Sequence, residues 1–551
     1  MIGRAVVWRS AGEVVARTLT DDPEEEVRRF TIAQREAVEE LERLHAWAKK
    51  EIGERDAEIF AVHAMMAEDE DFIGAILSQI REGRVVAEFA VAQVEKEFMR
   101  AFTGMEDSYM RERAGDVRDI AERLCRHLHP GEEPAEREPT EDEGQILPRI
   151  ICADDLTPSQ TVQLDKKKVG AFITARGAAN SHTAILSRTM GLPAVVGIGT
   201  GWQQIPEGAL LGIDADEGTV YVDPDQEVLK NLRERMEAEK KRKVLLEEFR
   251  GRESRTRDGY AVEICANISG TEDMGAALEN DAEGVGLFRS EFLYLGREIP
   301  PGEEEQYRAY RQVLEKMAGK RVVVRTLDIG ADKRVNYLGL PPEENPALGC
   351  RAIRISLTKP ELFLTQARAL LRASVYGRLA VMFPMVTSEW EVMRLRELWG
   401  QAREELREQG VRVADTVELG IMIETPAAAL ISDRLAGMVD FFSIGTNDLI
   451  QYTLAVDRQN TMLGRFCDPH HPAVLDLIRR TAENARRAGI WVGICGELGA
   501  DLSLTESFLR MGIRELSVTP PAILPLREKV CRLCLSEKKD GENGADNTVI
   551  R

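Results

Sequence analysis

Residues 439–449 read Val-Asp-Phe-Phe-Ser-Ile-Gly-Thr-Asn-Asp-Leu, a short apolar run that ends in a burst of polar side chains. The run has the length and the aromatic and branched content of a buried strand. Asn447 and Asp448 follow directly at its end, and Arg458 comes after one helical stretch. A buried strand that delivers an amide, a carboxylate and a guanidinium to one place is suited to hold a metal ion beside an anionic ligand. This pattern indicates phosphoryl chemistry.

Seven further runs of the same kind lie in the C-terminal half of the chain. Together the predicted strands cover residues 261–267, 283–288, 322–328, 380–386, 418–424, 440–445, 491–496 and 515–519. Each gap except the first few carries helical periodicity, and alternating buried strands and helices are typical of a parallel (β/α)8 barrel. We therefore predict a C-terminal TIM-type barrel.

The N-terminal half shows two other patterns. Residues 23–128 have apolar side chains at spacings of three and four, with charges between them, which predicts a helical bundle or two long helical hairpins. Short apolar runs closed by turn residues predict a compact α/β domain with short strands, at 149–153, 170–174, 194–197 and 210–214.

These patterns predict a multidomain α/β chain. The charged residues 226–252 favour one long helix, which we interpret as a linker between domains, and the acidic, proline-containing residues 130–144 predict an exposed connection. The predicted units are a small α/β domain (1–22 and 140–223), a helical subdomain inserted in it (23–139), the linker helix (224–252), the barrel (253–535) and a disordered tail (536–551).

Composition narrows the class of protein. A formal net charge of −21 argues against non-specific nucleic-acid binding, which needs clustered Lys and Arg, and favours a basic protein partner. The sequence has neither a signal-peptide pattern nor a run of about 18 uncharged apolar residues, so we expect a cytoplasmic protein without membrane insertion. The eight cysteines are scattered, and we expect reduced thiols.

The mouth of the predicted barrel gathers the candidate binding residues. A lone arginine there has an alternative reading as a salt-bridge partner, but four at one face suit a small ligand with both carboxylate and phosphate groups: Arg289, Arg325, Arg351 and Arg458. Glu424 and Asp448 supply the hard oxygen ligands that Mg²⁺ prefers. Cys495 is a candidate general acid for a carbanion-like carbon, although an arbitrary cysteine is more often a small buried hydrophobe.

His182 is the candidate nucleophile of the small domain. It follows Asn180 and Ser181, which suit a helix N-cap, and helix N-termini bind anions. Imidazole is a competent nucleophile near neutral pH, so a phosphoryl group on His182 fits this environment. For His470 and His471 a structural role is the better interpretation, and for His63 the sequence leaves burial and presentation to a partner equally open.

Several stretches resemble Enzyme I of the phosphoenolpyruvate-dependent sugar phosphotransferase system, over nearly the whole chain from Gly3 to about Arg532. The stretches that carry this resemblance are residues 181–183, 192–197, 286–293, 325–330, 345–354, 423–427, 443–458 and 495–497. One difference precedes the histidine: residues 177–182 read Gly-Ala-Ala-Asn-Ser-His, where the family usually has Gly-Gly-x-Thr-Ser-His.

The resemblance implies a two-step phosphoryl relay. Phosphoenolpyruvate would bind in the barrel mouth with Mg²⁺ on Glu424 and Asp448, His182 would take the phosphoryl group, and Cys495 would protonate the enolate to give pyruvate. The small domain would then swing to the helical subdomain, where the carrier protein HPr receives the group on its own histidine. A homodimer through the barrel is also implied. The remaining implied substrate-binding residues are Arg289, Arg325, Arg351, Asn447 and Arg458.

Three alternatives stay open at this point. A pyruvate phosphate dikinase or phosphoenolpyruvate synthase would need a nucleotide-binding domain, and the extra region has no glycine-rich phosphate loop. A paralogue serving a nitrogen-regulatory carrier, and a signalling phosphoprotein with little turnover, are the other two.

Overall fold

The structure is a computed structural model that describes residues 1–8, 17–51, 54–103, 108–128, 141–142, 145–154, 156, 168–176, 187, 192–215, 217–295, 297, 299–330, 335–341, 343–458 and 460–536. The chain divides into two compact units, Met1–Lys241 and Arg242–Arg551. Each unit has its own buried apolar cores.

Five helices of the first unit form the predicted helical region. They are α1 (Pro23–Glu51), α2 (Glu54–Ala67), α3 (Glu70–Gly83), α4 (Ala87–Thr103) and α5 (Ser108–Leu128). Their apolar faces share a core that includes Phe30 and Phe60. Helix α3 begins after Asp69, whose carboxylate accepts hydrogen bonds from the backbone N–H groups of Asp71 and Phe72.

His63 is buried within this helical region. Its Nε2 lies 3.2 Å from Oδ1 of Asp116 and its Nδ1 lies 3.1 Å from Oδ2 of Asp119, both on α5. Burial lowers the pKa of His63, but the two carboxylates outweigh it and raise that pKa to about 9. His63 therefore joins α2 to α5 as a buried ion pair and is not displayed to a partner.

A six-stranded mixed sheet forms the rest of the first unit. The order across the sheet is β6-β5-β4-β1-β7-β8; β1 is parallel to β4 and antiparallel to β7. Ahead of β4, β2 and β3 pair as a separate two-stranded ribbon. The strands are β1 (Ile2–Trp8), β2 (Glu141–Asp142), β3 (Gln145–Ile146), β4 (Arg149–Ala153), β5 (Val169–Thr174), β6 (Ala194–Val196), β7 (Leu210–Asp214) and β8 (Thr219–Val222).

The charged stretch after β8 forms helix α6 (Gln226–Glu247). Leu232 is its buried residue among those described. Arg235 pairs with Asp214 at the end of β7. Most of this helix is solvated, as its charged sequence indicates.

The second unit contains a closed barrel of eight parallel strands, which confirms the predicted fold class. The strands follow the chain in order, and β16 pairs with β9 to close the ring. They are β9 (Glu263–Ile268), β10 (Val285–Arg289), β11 (Arg321–Arg325), β12 (Arg378–Phe383), β13 (Glu418–Ile423), β14 (Phe441–Ile444), β15 (Trp491–Ile494) and β16 (Glu515–Val518).

Helices cover the outside of the barrel. They are α7 (Met274–Glu279), α8 (Glu303–Lys316), α9 (Ile353–Thr358), α10 (Pro360–Ala373), α11 (Glu389–Glu408), α12 (Pro426–Leu430), α13 (Ser432–Leu435), α14 (Thr446–Leu454), α15 (Pro472–Ala488), α16 (Thr505–Met511) and α17 (Ile523–Arg532). His471 caps α15, because its Nδ1 accepts a hydrogen bond from the backbone N–H of Ala473, which agrees with a structural role.

Alternate residues along each barrel strand face inwards and outwards. On β14, Phe442 and Ile444 belong to the core between strands and helices, whereas Phe441 belongs to the cluster that fills the barrel. The ring of Phe441 stacks on Trp491, with centroids 4.2 Å apart. Gly420 makes room for that ring, since a Cβ on it would lie 2.5 Å from Phe441.

An ionic cluster closes the amino end of the barrel; we call it the base cluster. Its centre is Arg321, the first residue of β11, which pairs with Glu263 and Glu515, while its guanidinium carbon lies 3.9 Å from the ring centroid of Trp491. Glu418 lies 3.8 Å from Arg321 and 2.9 Å from Arg378.

No helix among the described residues has the length and apolar content needed to cross a membrane. None of the eight cysteines forms a disulfide. The predicted tail lies outside the described residues except for Ser536, and so does most of the predicted connection at 130–144.

Candidate active site

The carboxyl end of the barrel opens into a cavity of about 870 Å³, here called the mouth. Its lining includes all eight residues that the sequence analysis placed there: Arg289, Arg325, Arg351, Glu424, Asn447, Asp448, Arg458 and Cys495.

The fold explains why these residues meet. Arg289 and Arg325 end β10 and β11, and Glu424 and Cys495 directly follow β13 and β15. The other four lie in the segments after β11 and β14: Arg351 before α9, Asn447 and Asp448 in the first turn of α14, and Arg458 after it. Because parallel barrel strands all end at one face, these segments converge there.

Asp328 holds two of the arginines in place. Its carboxylate lies 3.0 Å from Nη1 of Arg325 and 3.0 Å from Nη2 of Arg351. Arg325 also pairs with Glu291, which is buried. The geometry of both guanidinium groups is therefore fixed before any ligand binds.

Arg289 and Arg458 differ from this pair. Within the described barrel neither makes an ion pair with a carboxylate, although both line the mouth. Burial lowers the pKa of Arg289, and the adjacent charge of Arg325 lowers it further. A half-buried cation beside another cation is costly unless an anion joins it, so Arg289, with the exposed Arg458 near it, marks an anion site.

Glu424 and Asp448 form the acidic side of the mouth. Glu424 is fully buried; its Oε1 accepts a hydrogen bond of 2.5 Å from the backbone N–H of Met385, and its Oε2 has no hydrogen-bond partner among the described residues. Burial, Asp448 and Asp328 raise the pKa of Glu424 to about 8. An orphaned carboxylate oxygen beside a second carboxylate fits a divalent cation that takes oxygen ligands.

Cys495 lies buried at the end of β15. Its Sγ is 3.7 Å from the carbonyl oxygen of Ile444. Burial raises the pKa of Cys495 to about 11, although a hydrogen bond with Ser443 and the charge of Arg325 oppose this. The thiol is therefore protonated at neutral pH and has a proton to give.

Asn447 is fixed by a reciprocal pair of hydrogen bonds. Its Nδ2 donates to Oε1 of Glu497 at 3.0 Å, and the backbone N–H of Glu497 donates to its Oδ1 at 2.9 Å. Gly496 permits this approach, because a Cβ there would lie 2.0 Å from Oγ1 of Thr446. The segments after β14 and β15 are thus joined at the mouth.

Sequence reasoning missed two residues of the mouth. Glu291 pairs with Arg325, and Tyr452 accepts a hydrogen bond of 3.0 Å from Nη1 of Arg351. Tyr452 lies four residues after Asp448 on a helix, so the spacing places both on one face and could have revealed it. Glu291 follows Arg289 by two residues, and only the fold shows that it points to Arg325.

His182 lies outside the described residues, as do Asn180 and Ser181. Its role as nucleophile stays a prediction.

Known proteins match the chain along its length. A family model described as PEP-utilising enzyme, PEP-binding domain, matches residues 243–534. Models for the N-terminal and mobile domains of PEP-utilising enzymes match residues 1–113 and 147–218.

Curated relatives carry one shared name. A phosphoenolpyruvate-protein phosphotransferase of Staphylococcus carnosus (strain TM300) is 42% identical over 519 residues, which cover 94% of this chain and 90% of that protein. One of Bacillus subtilis (strain 168) is 42% identical over 516 residues, with the same coverage of 94% and 90%. One of Staphylococcus aureus is 40% identical over 527 residues, covering 95% of this chain and 91% of the relative.

Proposed function

The chain belongs to the phosphoenolpyruvate-protein phosphotransferases, and we propose that His182 is the residue that carries its phosphoryl group. As an enzyme of this family it moves the phosphoryl group of phosphoenolpyruvate onto its own histidine and then to the carrier protein HPr, the first step of sugar uptake by the phosphotransferase system.

The observation that supports phosphoenolpyruvate binding in the mouth is that some of its charged side chains lack a partner of opposite sign among the described residues. Arg289 and Arg458 make no ion pair with a carboxylate in the part of the barrel that the structure describes, while Glu424 and Asp448 lie beside each other. A small dianion with a bound cation would neutralise both sides at once. We assign Arg289, Arg325, Arg351, Asn447 and Arg458 to binding its phosphate and carboxylate groups.

Mg²⁺ fits the acidic side of the mouth. Glu424 and Asp448 would hold it, with the other positions left to water and phosphate oxygens, as Mg²⁺ prefers. When bound, the ion neutralises phosphate charge and helps to orient the transferring group.

The chemical step then needs two protein groups. An imidazole nitrogen of His182 forms a bond to phosphorus as the bond from phosphorus to the enol oxygen breaks, and the enolate of pyruvate leaves. The thiol of Cys495 gives its proton to the methylene carbon of that enolate, which yields pyruvate and a thiolate that regains a proton from solvent. Arg289, Arg325, Arg351 and Arg458 stabilise the negative charge throughout.

The two reacting parts belong to different units of the chain. His182 falls in the first unit and the mouth in the second, so the reaction requires the units to come together and then to separate for transfer to HPr. Helix α6 connects the two and suits the role of a linker. We further propose a cytoplasmic homodimer formed through the barrel. All eight predicted residues line the mouth, which favours a working enzyme over a signalling phosphoprotein with little turnover.

Incubation with Mg²⁺ and ³²P-labelled phosphoenolpyruvate tests the proposal. We expect acid-labile label on the native chain and on His470→Ala, a matched histidine control, but not on His182→Ala. Addition of HPr should remove the label. Label on His182→Ala would overturn the assignment of the nucleophile, and a folded native chain that takes up no label would overturn the function.

A further inference from the structure

The hydroxyl of Tyr452 joins two segments of the mouth. It accepts the hydrogen bond from Nη1 of Arg351 and donates one to the backbone carbonyl of Ala347. Ala347 and Arg351 lie in the segment after β11, whereas Tyr452 lies on α14 after β14. One hydroxyl thus fixes both a cationic side chain and the backbone that carries it.

Arg351 has a competing partner nearby. Its Nη1 lies 3.7 Å from Oδ1 of Asp448, while its Nη2 is held by Asp328 at 3.0 Å. Nη1 therefore lies nearer to the hydroxyl of Tyr452, at 3.0 Å, than to the carboxylate of Asp448. Without that hydroxyl, attraction would draw the guanidinium towards that carboxylate, which we assign to the metal.

We propose that Tyr452 is a positioning residue that holds Arg351 towards the substrate and away from Asp448. This inference rests on the proposed function, because it takes Arg351 as a substrate-binding residue. Burial raises the pKa of Tyr452, so its hydroxyl keeps the proton that it donates to Ala347.

The expected consequence is a loss of binding rather than of chemistry. Arg351 contacts substrate and transition state alike, so misplacing it should raise KM and leave kcat nearly unchanged. For Tyr452→Phe we expect KM for phosphoenolpyruvate to rise on the order of tenfold. The Mg²⁺ concentration for half-maximal rate should rise as well, because Arg351 would then compete for Asp448.

Tyr337→Phe is the matched control. The Tyr337 hydroxyl donates a hydrogen bond of 2.7 Å to the backbone carbonyl of Tyr294, and Tyr337 lies in the same segment after β11 but does not line the mouth. Both variants lose one hydroxyl bond to a main-chain carbonyl, and only Tyr452→Phe frees Arg351. We expect Tyr337→Phe to keep the native KM.

Direct binding gives a second readout. Calorimetric titration of phosphoenolpyruvate with Mg²⁺ into His182→Ala, alone and combined with each tyrosine variant, avoids turnover during the measurement. Weaker binding in Tyr452→Phe, with native affinity in Tyr337→Phe, supports the inference. Equal KM and affinity in native, Tyr452→Phe and Tyr337→Phe chains overturns it, as does an equal loss in both variants.

The two failures are distinguishable. If the native chain binds phosphoenolpyruvate and becomes labelled while Tyr452→Phe behaves identically, the inference fails and the function stands. If the folded native chain neither binds nor becomes labelled, the proposed function itself fails, and the role of Tyr452 fails with it.

Discussion

The two ends of the barrel both gather arginines and carboxylates, but among the described residues only the mouth leaves charged groups without a partner of opposite sign. In the base cluster Arg321 lies among Glu263, Glu418 and Glu515, so unlike charges are neighbours. In the mouth Asp328 pairs with Arg325 and Arg351, but Glu424 also lies beside Asp448, and Arg289 beside Arg325, so like charges adjoin there too. A buried charge that already has its partner needs no ligand, whereas a buried charge without one leaves a site for a ligand of the opposite sign.

The base cluster shows why acidic groups alone do not indicate a metal site. Glu263, Cys265 and Glu515 have potential ligand atoms within 4.8 Å of one another. Arg321 already pairs with both of these carboxylates, and it stacks on Trp491. The guanidinium of Arg321 therefore supplies the positive charge in this cluster that a metal ion would otherwise supply.

The largest effect is expected from a substitution that breaks the base cluster. In Arg321→Met, Glu263 and Glu515 lose their partner, and we expect the free energy of unfolding to fall by about 3–5 kcal/mol. Chemical denaturation measures this, and KM for phosphoenolpyruvate of the folded fraction should stay within about twofold of native. A stable variant that had lost substrate binding instead would show that the two ends do not differ in role.

The corresponding substitution in the mouth should lower catalytic efficiency without lowering stability. Arg289→Met removes a half-buried cation that makes no ion pair with a carboxylate of the described barrel, so kcat/KM should fall about 100- to 1000-fold. The melting temperature should stay constant or rise, because functional sites are often arranged at the expense of stability. Steady-state kinetics and thermal unfolding check both parts, and a clear fall in melting temperature would contradict this view of the mouth.

A third, smaller effect depends on pH and Mg²⁺. Burial and neighbouring carboxylates raise the pKa of Glu424 to about 8, and burial is the main cause that raises the pKa of Glu515 to about 7. A carboxyl with a raised pKa binds its proton more tightly when folded, so its contribution to stability is present at low pH. That contribution declines from the unfolded pKa of about 4.3 up to the folded value.

Mg²⁺ should offset the loss of stability at high pH for Glu424 in the mouth, but not for Glu515 in the base cluster. At pH 8 we expect Mg²⁺ to raise the melting temperature of the native chain and of Glu515→Gln by several degrees, and to leave Glu424→Gln unchanged. Differential scanning calorimetry with and without Mg²⁺ tests this. Stabilisation of Glu424→Gln equal to that of the native chain would contradict the assignment of the metal ligand.

The smallest expected effect concerns a more exposed ion pair of the base cluster. Arg378 pairs with Glu418 at 2.9 Å, but its side chain is 52% exposed, compared with 6% for Arg321. Arg378→Met should therefore lower the free energy of unfolding by less than about 1 kcal/mol. Denaturation of this variant beside Arg321→Met measures the difference, and equal losses would mean that burial does not govern these pairs.

The sequence predicts the residues of the mouth far better than those of the base cluster. Each mouth residue ends a buried run or follows it, and parallel barrel strands bring such ends together, so the sequence pattern predicts Glu424 and Cys495 in the mouth. Arg321 and Glu515 are 194 residues apart and start their strands, where no chemical pattern distinguishes them from ordinary solvated charges. Tyr452 was missed because its role depends on the path of the segment after β11, which periodicity does not determine.

The pairing of β16 with β9, which closes the barrel, also determines when the barrel can fold during synthesis. Neighbouring strands from β9 to β16 pair in chain order, but the other edge of β9 gains its partner only when β16 is present, where Ser517 pairs with Cys265. During synthesis the ring stays open until the ribosome has released residues 515–518, because such distant contacts form only after both partners exist. A nascent chain stalled before that point would expose the inner and outer apolar faces of an open sheet, and would need chaperones more than the finished enzyme does.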